Sequence, residues 1–234
     1  MKKTGGTKRA LVLLAGCLLL ACPARLAAQE SLDAVLTRMD KAAADFRTAQ
    51  ADFSWDQYQK VVDETDVQKG TIYFRRAGDK LNMAADITEP DRKYLLFADS
   101  RMQLYQPKID QVTVYETGKN KADVESFLVL GFGGRGHDLS RTFDVKFLGG
   151  ETVEGTKTMK LELVPKSARM RASFDRILLW IDMGRGVSVQ QQFFEPSGNF
   201  RLVKYANIQL NQKLNDDVFK LKTTKKTKYI NPQE

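Results

Sequence analysis

Apolar positions along the chain repeat with two different periods. Leu32, Val35, Leu36, Met39, Ala43 and Phe46 fall at i, i+3, i+4, i+7 spacing and form one stripe, which predicts an amphipathic helix over 32–46. Ser31 stands at its N-cap position, and Asp33 in the first turn suits the helix dipole. After Gln50 the period drops to two. Ala51, Phe53 and Trp55 alternate with polar residues; Ile72, Phe74 and Arg76 share one face, with Tyr73 and Arg75 on the other. Leu81, Met83, Ala85 and Ile87 continue the alternation, then Tyr94, Leu96 and Ala98, then Met102 and Leu104, then Val112 and Val114. The stretches "AGDK", "TEPDR", "ADSR" and "QPKID" read as turns between these runs, so an antiparallel meander of about six strands is expected.

The pattern breaks over 118–142. "KADVESFLVLGF" carries Val124, Phe127, Leu128 and Gly131 at helical spacing, while Val129, Leu130 and Phe132 make it apolar nearly all round. Such a helix must be covered on more than one side. A flexible "GFGGRGH" follows, then "DLSRTF", one or two helical turns. Strands resume with Phe143, Val145 and Phe147, and with Met159, Leu161 and Leu163. "RILLWID" is apolar on both faces, which places it centrally with cover on both sides. "VSVQQQFFEPSGNFRLVKYANIQL" predicts a hairpin turning at "EPSGN", and "LNDDVFKLK" a last short strand. The sum is a mainly β fold with α: a strongly curved antiparallel sheet with a helix on its concave side.

Composition changes this picture at the N-terminus. Lys2, Lys3, Lys8 and Arg9 precede an apolar core, Ala10 to Ala21, too short to span a bilayer, and Leu26-Ala27-Ala28 offers a peptidase site. Residues 1–28 therefore read as a signal peptide and 29–234 as a single exported domain. Cys17 and Cys22, the only cysteines, each close something like a lipid-attachment box. Cleavage after Ala28 is favoured over lipidation. Cys17 leaves too short an apolar core, Leu20 is bulky where a small residue is usual before Cys22, and no polar tether follows. That cleavage removes both cysteines and excludes disulfides, thiolate metal sites and cysteine nucleophiles. The chain carries 37 basic and 29 acidic residues, net +8; the leader holds five of the basic ones, leaving 32 against 29, or +3. A nucleic-acid partner loses its support. The basic "KTTKKTKYINPQE" reads as a solvated edge or tail, or a weak attractor to an anionic membrane surface.

No motif points to catalysis. "GFGGRG" has the spacing of a dinucleotide loop, but neither a long helix nor a parallel context follows it, so it reads as a glycine hinge. His137, the only histidine, has no nucleophile or metal partner in any recognisable motif and reads as a surface residue; Asp216-Asp217 reads as a solvated turn. No cofactor or metal is called for. Arg76 leaves two readings open: a strand-end arginine reaching to solvent, or a polar latch inside an apolar pocket.

Several stretches in order resemble the outer-membrane lipoprotein carrier family, the LolA-like fold. "FRTAQADFSWDQYQ" resembles its first strand, "GTIYFRRAGDKLNM" its glycine, aromatic, basic-arginine-proline strand and turn, and "RMQLYQPKIDQVTVY" its "W-x-Y-x-P" strand pair. "LWIDMGRGVSVQQQFFEPSGN" and "NDDVFKLK" resemble its closing strands. Ala77 stands where the family has proline, and Tyr105 where a larger aromatic is common. The resemblance implies a half-closed β-barrel with a short helical lid over the concave face, and a monomer that carries acyl chains of lipoproteins or lipids across the periplasm. An inner-membrane donor complex and an outer-membrane receptor are its implied partners. Relatives with this fold include envelope-stress sensors and lipid carriers, so a regulatory module binding acylated partners and a lipid-anchored carrier of free lipids remain alternatives. Arg76 is expected to latch the lid, with Tyr73 the aromatic three residues before it. The expected cavity residues are Phe74, Leu81, Met83, Leu96, Met102 and Leu104, for which plain core packing is the competing reading. The expected lid spans 122–132, with Phe127 and Leu128, hinged on Gly131, Gly133, Gly134 and Gly136.

Overall fold

The computed structural model describes residues 31–78, 80–118, 127–128 and 130–232. The expected signal peptide, both cysteines and most of the expected lid helix lie outside them. Helix α1 (Leu32–Asp45) forms as the apolar stripe requires. The Ser31 hydroxyl accepts from the Ala34 amide at its start, and Val35, Leu36, Met39 and Ala43 are buried. Six strands follow: β1 (Thr48–Gln59), β2 (Glu64–Ala77), β3 (Lys80–Glu89), β4 (Lys93–Ala98), β5 (Arg101–Gln106) and β6 (Gln111–Glu116). After the glycine-rich segment and a one-turn helix, Leu139–Thr142, come β7 (Phe143–Val153), β8 (Thr156–Pro165), β9 (Arg176–Asp182), β10 (Val187–Phe194), β11 (Phe200–Leu210) and β12 (Lys228–Ile230).

All twelve strands join one open, curved sheet, in the order β12-β6-β5-β4-β3-β2-β1-β11-β10-β9-β8-β7. The two meanders meet where β1 pairs with β11 (Phe53 opposite Tyr205, Trp55 opposite Val203). Every pairing is antiparallel except β12 on β6, which is parallel. β9 is interior between β8 and β10, and its residues after Arg176 are all buried, as a strand apolar on both faces requires.

Two cores share the concave face. α1 lays Val35, Leu36 and Met39 against Leu161 and Leu163 of β8 and Ile177, Leu179 and Ile181 of β9. A second cluster joins Phe46, Phe53, Phe74, Met83, Ile87 and Phe97 over β1–β4. The glycine-rich segment bridges them: Leu130 belongs to the first cluster and Phe132 to the second.

The C-terminal part corrects the expectation of a strand at "LNDDVFKLK". Asp216–Phe219 is a 3-10 turn, capped by the Asn215 side chain accepting from the Asp217 amide. The last strand lies instead in the basic tail, at Lys228–Ile230. Between β11 and β12 the chain straps the convex side of the sheet. Arg75 pairs with Asp216 at 2.7 Å and places its guanidinium 4.4 Å from the Phe219 ring centroid. A short helix at Ala168–Ser173, capped by Ser167, was also not foreseen; of its residues only Met170 is buried, too few for a helical stripe. Replacing Arg75 by alanine removes these two contacts and the hydrogen bond from Arg75 Nη2 to the Leu214 carbonyl. A loss of about 1–2 kcal/mol in denaturant unfolding and faster proteolysis between Leu214 and Lys220 are expected; wild-type behaviour in both measurements would contradict the strap.

Candidate functional site

Alternation along the strands builds an apolar concavity. Across the sheet, Ala49, Phe74, Met83, Phe97 and Met102 stand opposite one another in one row, and Ala51, Ile72, Ala85, Leu95 and Leu104 in the next. A cavity of about 170 Å³ opens over this face. Phe53, Trp55, Ile72, Phe74, Met83, Ala85, Ile87 and Leu95 form one side of it, and Gln191, Phe193, Arg201, Val203 and Tyr205 of β10 and β11 the other. Phe127 and Leu128 complete the lining. Phe127 stacks on Phe174 with centroids 5.2 Å apart and packs on Phe193 at 5.1 Å, an aromatic cluster at the rim.

The segment from Leu130 to His137 docks into the concavity beside this cavity. Its backbone carbonyls would be costly there without donors, and each of three has one. Gln191 Nε2 donates to Leu130 O, and the Ser188 amide donates to Gly131 O at 2.8 Å. Arg76 Nη1 donates to Gly133 O at 2.8 Å. Half-burial, with the charge of Arg47 nearby, draws the Arg76 pKa below the ordinary guanidinium value. The Tyr205 hydroxyl donates to Gln191 Oε1 at 3.3 Å, and its burial holds it well above the ordinary phenol range, so it remains a donor. Phe132 fills the space between, stacked on Phe74 at 5.3 Å and edge-on to Tyr205 at 4.8 Å.

The glycines of this segment are seats of close approach. Gly133 has φ +75°, and a Cβ there would lie 2.5 Å from the Phe46 ring; Gly131 has φ +79°, with a Cβ 2.3 Å from that of Ser188. A side chain at either position would push the segment out of the concavity. Gly136 lies against the Leu36 backbone, and Gly134 is partly exposed beside Arg76.

Placement of the expected site residues is mixed. Phe74, Met83, Phe127 and Leu128 line the cavity, and Arg76 meets the glycine segment at its edge. Met102 packs against the same cluster, while Leu104 is in register one strand beyond the lining residue Leu95. Three expectations are corrected. Tyr73, expected with Arg76 at the lipid site, lies opposite Ala84 on the convex side, the face to which alternation alone assigns it; burial and the Asp86 carboxylate raise its pKa there. Leu96, also opposite Ala84, shares that side. Leu81 is buried at the strand end opposite Arg76 and does not line the cavity. The sequence reading missed β11 as a cavity wall, though Arg201, Val203 and Tyr205 alternate in the expected way.

His137, expected to be a bare surface residue, is exposed but paired. Its Nδ1 lies 2.6 Å from Asp40 Oδ2 and its Nε2 3.3 Å from Asp33 Oδ1, both on α1. These hydrogen bonds, Asp40's first, raise its pKa above 6.5. Burial opposes ionisation of Asp40, but the hydrogen bonds from the His137 side chain and backbone outweigh it and hold the carboxyl below 3.8. A raised histidine contributes stability fully below its unfolded pKa and loses it as pH rises through the folded one. The stability difference between wild type and His137→Gln should therefore be largest at mildly acidic pH and shrink as pH rises through the raised pKa of His137. A difference constant across that range in urea unfolding would contradict the clasp.

The family model described as "Outer membrane lipoprotein carrier protein LolA" matches residues 44–222. No curated protein matches the chain in sequence. The structure is similar to that of an uncharacterized conserved protein from Thermus thermophilus, with TM-score 0.55 and 11% identity over 86% of this chain and 99% of that one. It is also similar to MucB, with TM-score 0.52 and 15% identity over 82% of this chain and 63% of that one. For MucB in complex with MucA(peri) the TM-score is 0.50 and the identity 13%, over 82% of this chain and 60% of that one. The chain thus spans less than two thirds of the MucB chains, and identities this low show a shared fold alone. The family model, by contrast, reaches from the end of α1 through the strap, and by that match the chain belongs to the LolA family of outer membrane lipoprotein carrier proteins.

Proposed function

We propose that this protein is a periplasmic, non-enzymatic carrier that takes acyl chains of lipoproteins or lipids into the concave cavity and moves them toward the outer membrane. The observation that carries the reading is the apolar cavity beside a segment held down by Arg76 through the Gly133 carbonyl. Burial of each methylene contributes about 0.8 kcal/mol, so the cavity needs no specific chemistry to bind a chain. At about 170 Å³ it is smaller than the ~300–1,000 Å³ of sites that enclose a drug-sized ligand. Loading therefore displaces the Phe132 plug and its neighbours. Strong burial would also make unloading slow. Return of the three carbonyls to Gln191, Ser188 and Arg76 offers the opposing free energy that releases the chain. Arg76 is in this account the latch of the empty state, with Gly131, Gly133, Gly134 and Gly136 in the moving segment and Phe127 and Leu128 in its roof.

The domain expectation carries over to this reading: a leader removed after Ala28 and one carrier domain from 29 to 234, delivered to by an inner-membrane donor and relieved by an outer-membrane receptor. A second reading is a regulatory module that binds acylated partners; MucB, similar in fold, has a structure in complex with MucA(peri). It predicts a protein partner and no transfer of cargo.

Mass spectrometry of protein purified from the periplasm should show an acylated ligand, and an Arg76→Leu variant should retain that ligand and pass on less of it. A consistently empty cavity, or normal transfer by Arg76→Leu, would contradict the carrier with its latch.

A further inference from the structure

Two buried donors in the cavity lining have no acceptor among the described residues. Nε1 of Trp55 and Nε of Arg201 are both shielded from solvent, and neither has a hydrogen-bond partner among the described residues. Both side chains line the apolar cavity. They are also neighbours. Trp55 stands opposite Val203 and Gln57 opposite Arg201, so Trp55 and Arg201 are diagonal partners on the same face of the β1–β11 pair. Every other polar side chain named in the lining is satisfied: Tyr205 donates to Gln191, and Gln191 to the Leu130 carbonyl.

Buried donors are nearly always paired, and an orphaned pair in a binding cavity points to an acceptor that arrives with the ligand. Charge narrows what that acceptor is. Arg201 Nη2 already pairs with Glu195 Oε1 at 2.8 Å, on the same guanidinium edge as the Nε–H, so the charge is already neutralised there. A carboxylate or phosphate would add an uncompensated negative charge beside Glu195, in an apolar lining. The indole N–H of Trp55 is a donor only and carries no charge to attract an anion. A neutral oxygen with two lone pairs accepts from both groups at no such cost.

We infer that Trp55 and Arg201 form a polar subsite that receives the carbonyl oxygen linking an acyl chain to its headgroup, an ester or an amide, while the chain itself lies along Phe53, Ile72, Phe74 and Met83. The inference rests on the carrier reading and narrows its cargo: linked acyl chains over bare hydrocarbons and over ionised fatty acids. Phe174 lies under the Arg201 guanidinium at 5.8 Å and Phe193 stands opposite Arg201 in β10, which together hold the side chain at the rim. The subsite thereby fixes which end of the chain faces outward.

The test is displacement of the neutral dye N-phenyl-1-naphthylamine from the full mature protein by four ligands of equal chain length: dodecane, methyl dodecanoate, N-methyldodecanamide and dodecanoate. Each is measured on wild type, on Trp55→Phe, on Arg201→Lys, which keeps the pair with Glu195, and on the double variant. The expected result is that ester and amide weaken about tenfold in the double variant and by a smaller factor in each single one. Dodecane, which offers no acceptor, should weaken by a much smaller factor than ester or amide, and its displacement of the dye shows that the variants fold with a cavity. Preference for ester over amide, or the reverse, tells which linkage the cargo carries, and either supports the subsite. Unchanged ester and amide affinity in the double variant, or dodecanoate binding more tightly than the ester, would overturn the subsite while leaving the carrier reading in place. Failure of all four to displace the dye would overturn the carrier reading and the subsite with it.

Discussion

Three backbone carbonyls in an apolar concavity set the terms for the rest of this structure. Leu130, Gly131 and Gly133 bring peptide oxygens into the concave side of a sheet lined with phenylalanine, methionine and isoleucine, where an unpaired carbonyl is costly. Each finds a donor of a different kind: a glutamine side chain, a backbone amide and an arginine. Remove the segment and those donors are left in the apolar face. The segment and the sheet thus satisfy one another, and the state without a ligand is a defined one with its own hydrogen bonds.

The same arrangement gives the cavity two opposing tendencies of comparable kind. Apolar burial draws a chain in, without direction or specificity. The carbonyl–donor pairs and the Phe132–Phe74 stack favour the closed arrangement and are specific. A carrier needs both, because a site that only binds would keep its cargo. Arg76 is well placed to connect them. Its backbone amide donates to the Arg47 carbonyl just after α1, and its side chain reaches the glycine segment, so helix end, strand and plug meet at one residue. On the opposite side of the strand, the adjacent Arg75 holds the C-terminal strap.

Much of this was legible in the sequence, for reasons that local periodicity explains. The stripe from Leu32 to Phe46 and the alternation through β1–β6 depend on near neighbours, and the structure follows them. Face assignment from alternation was sound within a strand: it separated Phe74 and Arg76 from Tyr73 and Arg75. It failed where strands had to be set against one another. Leu96 alternates with Phe97, and nothing local tells which of two apolar residues faces inward when the strap buries the convex side as well. The pairing of β1 with β11 joins residues about 150 positions apart, so the wall carrying Arg201, Val203 and Tyr205 was out of reach of any local pattern. The glycines of "GFGGRGH" suggest bending, but no local pattern shows that Gly131 and Gly133 also bring backbone within contact of Ser188 and Phe46.

The central claim is that the glycine segment, docked beside the cavity in the empty protein, leaves the concavity when an acyl chain enters. The Ser188 amide reports this directly, since its acceptor is the Gly131 carbonyl. Site-resolved hydrogen exchange of that amide should be slow in the ligand-free protein and much faster in protein saturated with an acylated ligand, while amides of β9 stay protected in both. Equal protection of Ser188 in the two states would contradict the account.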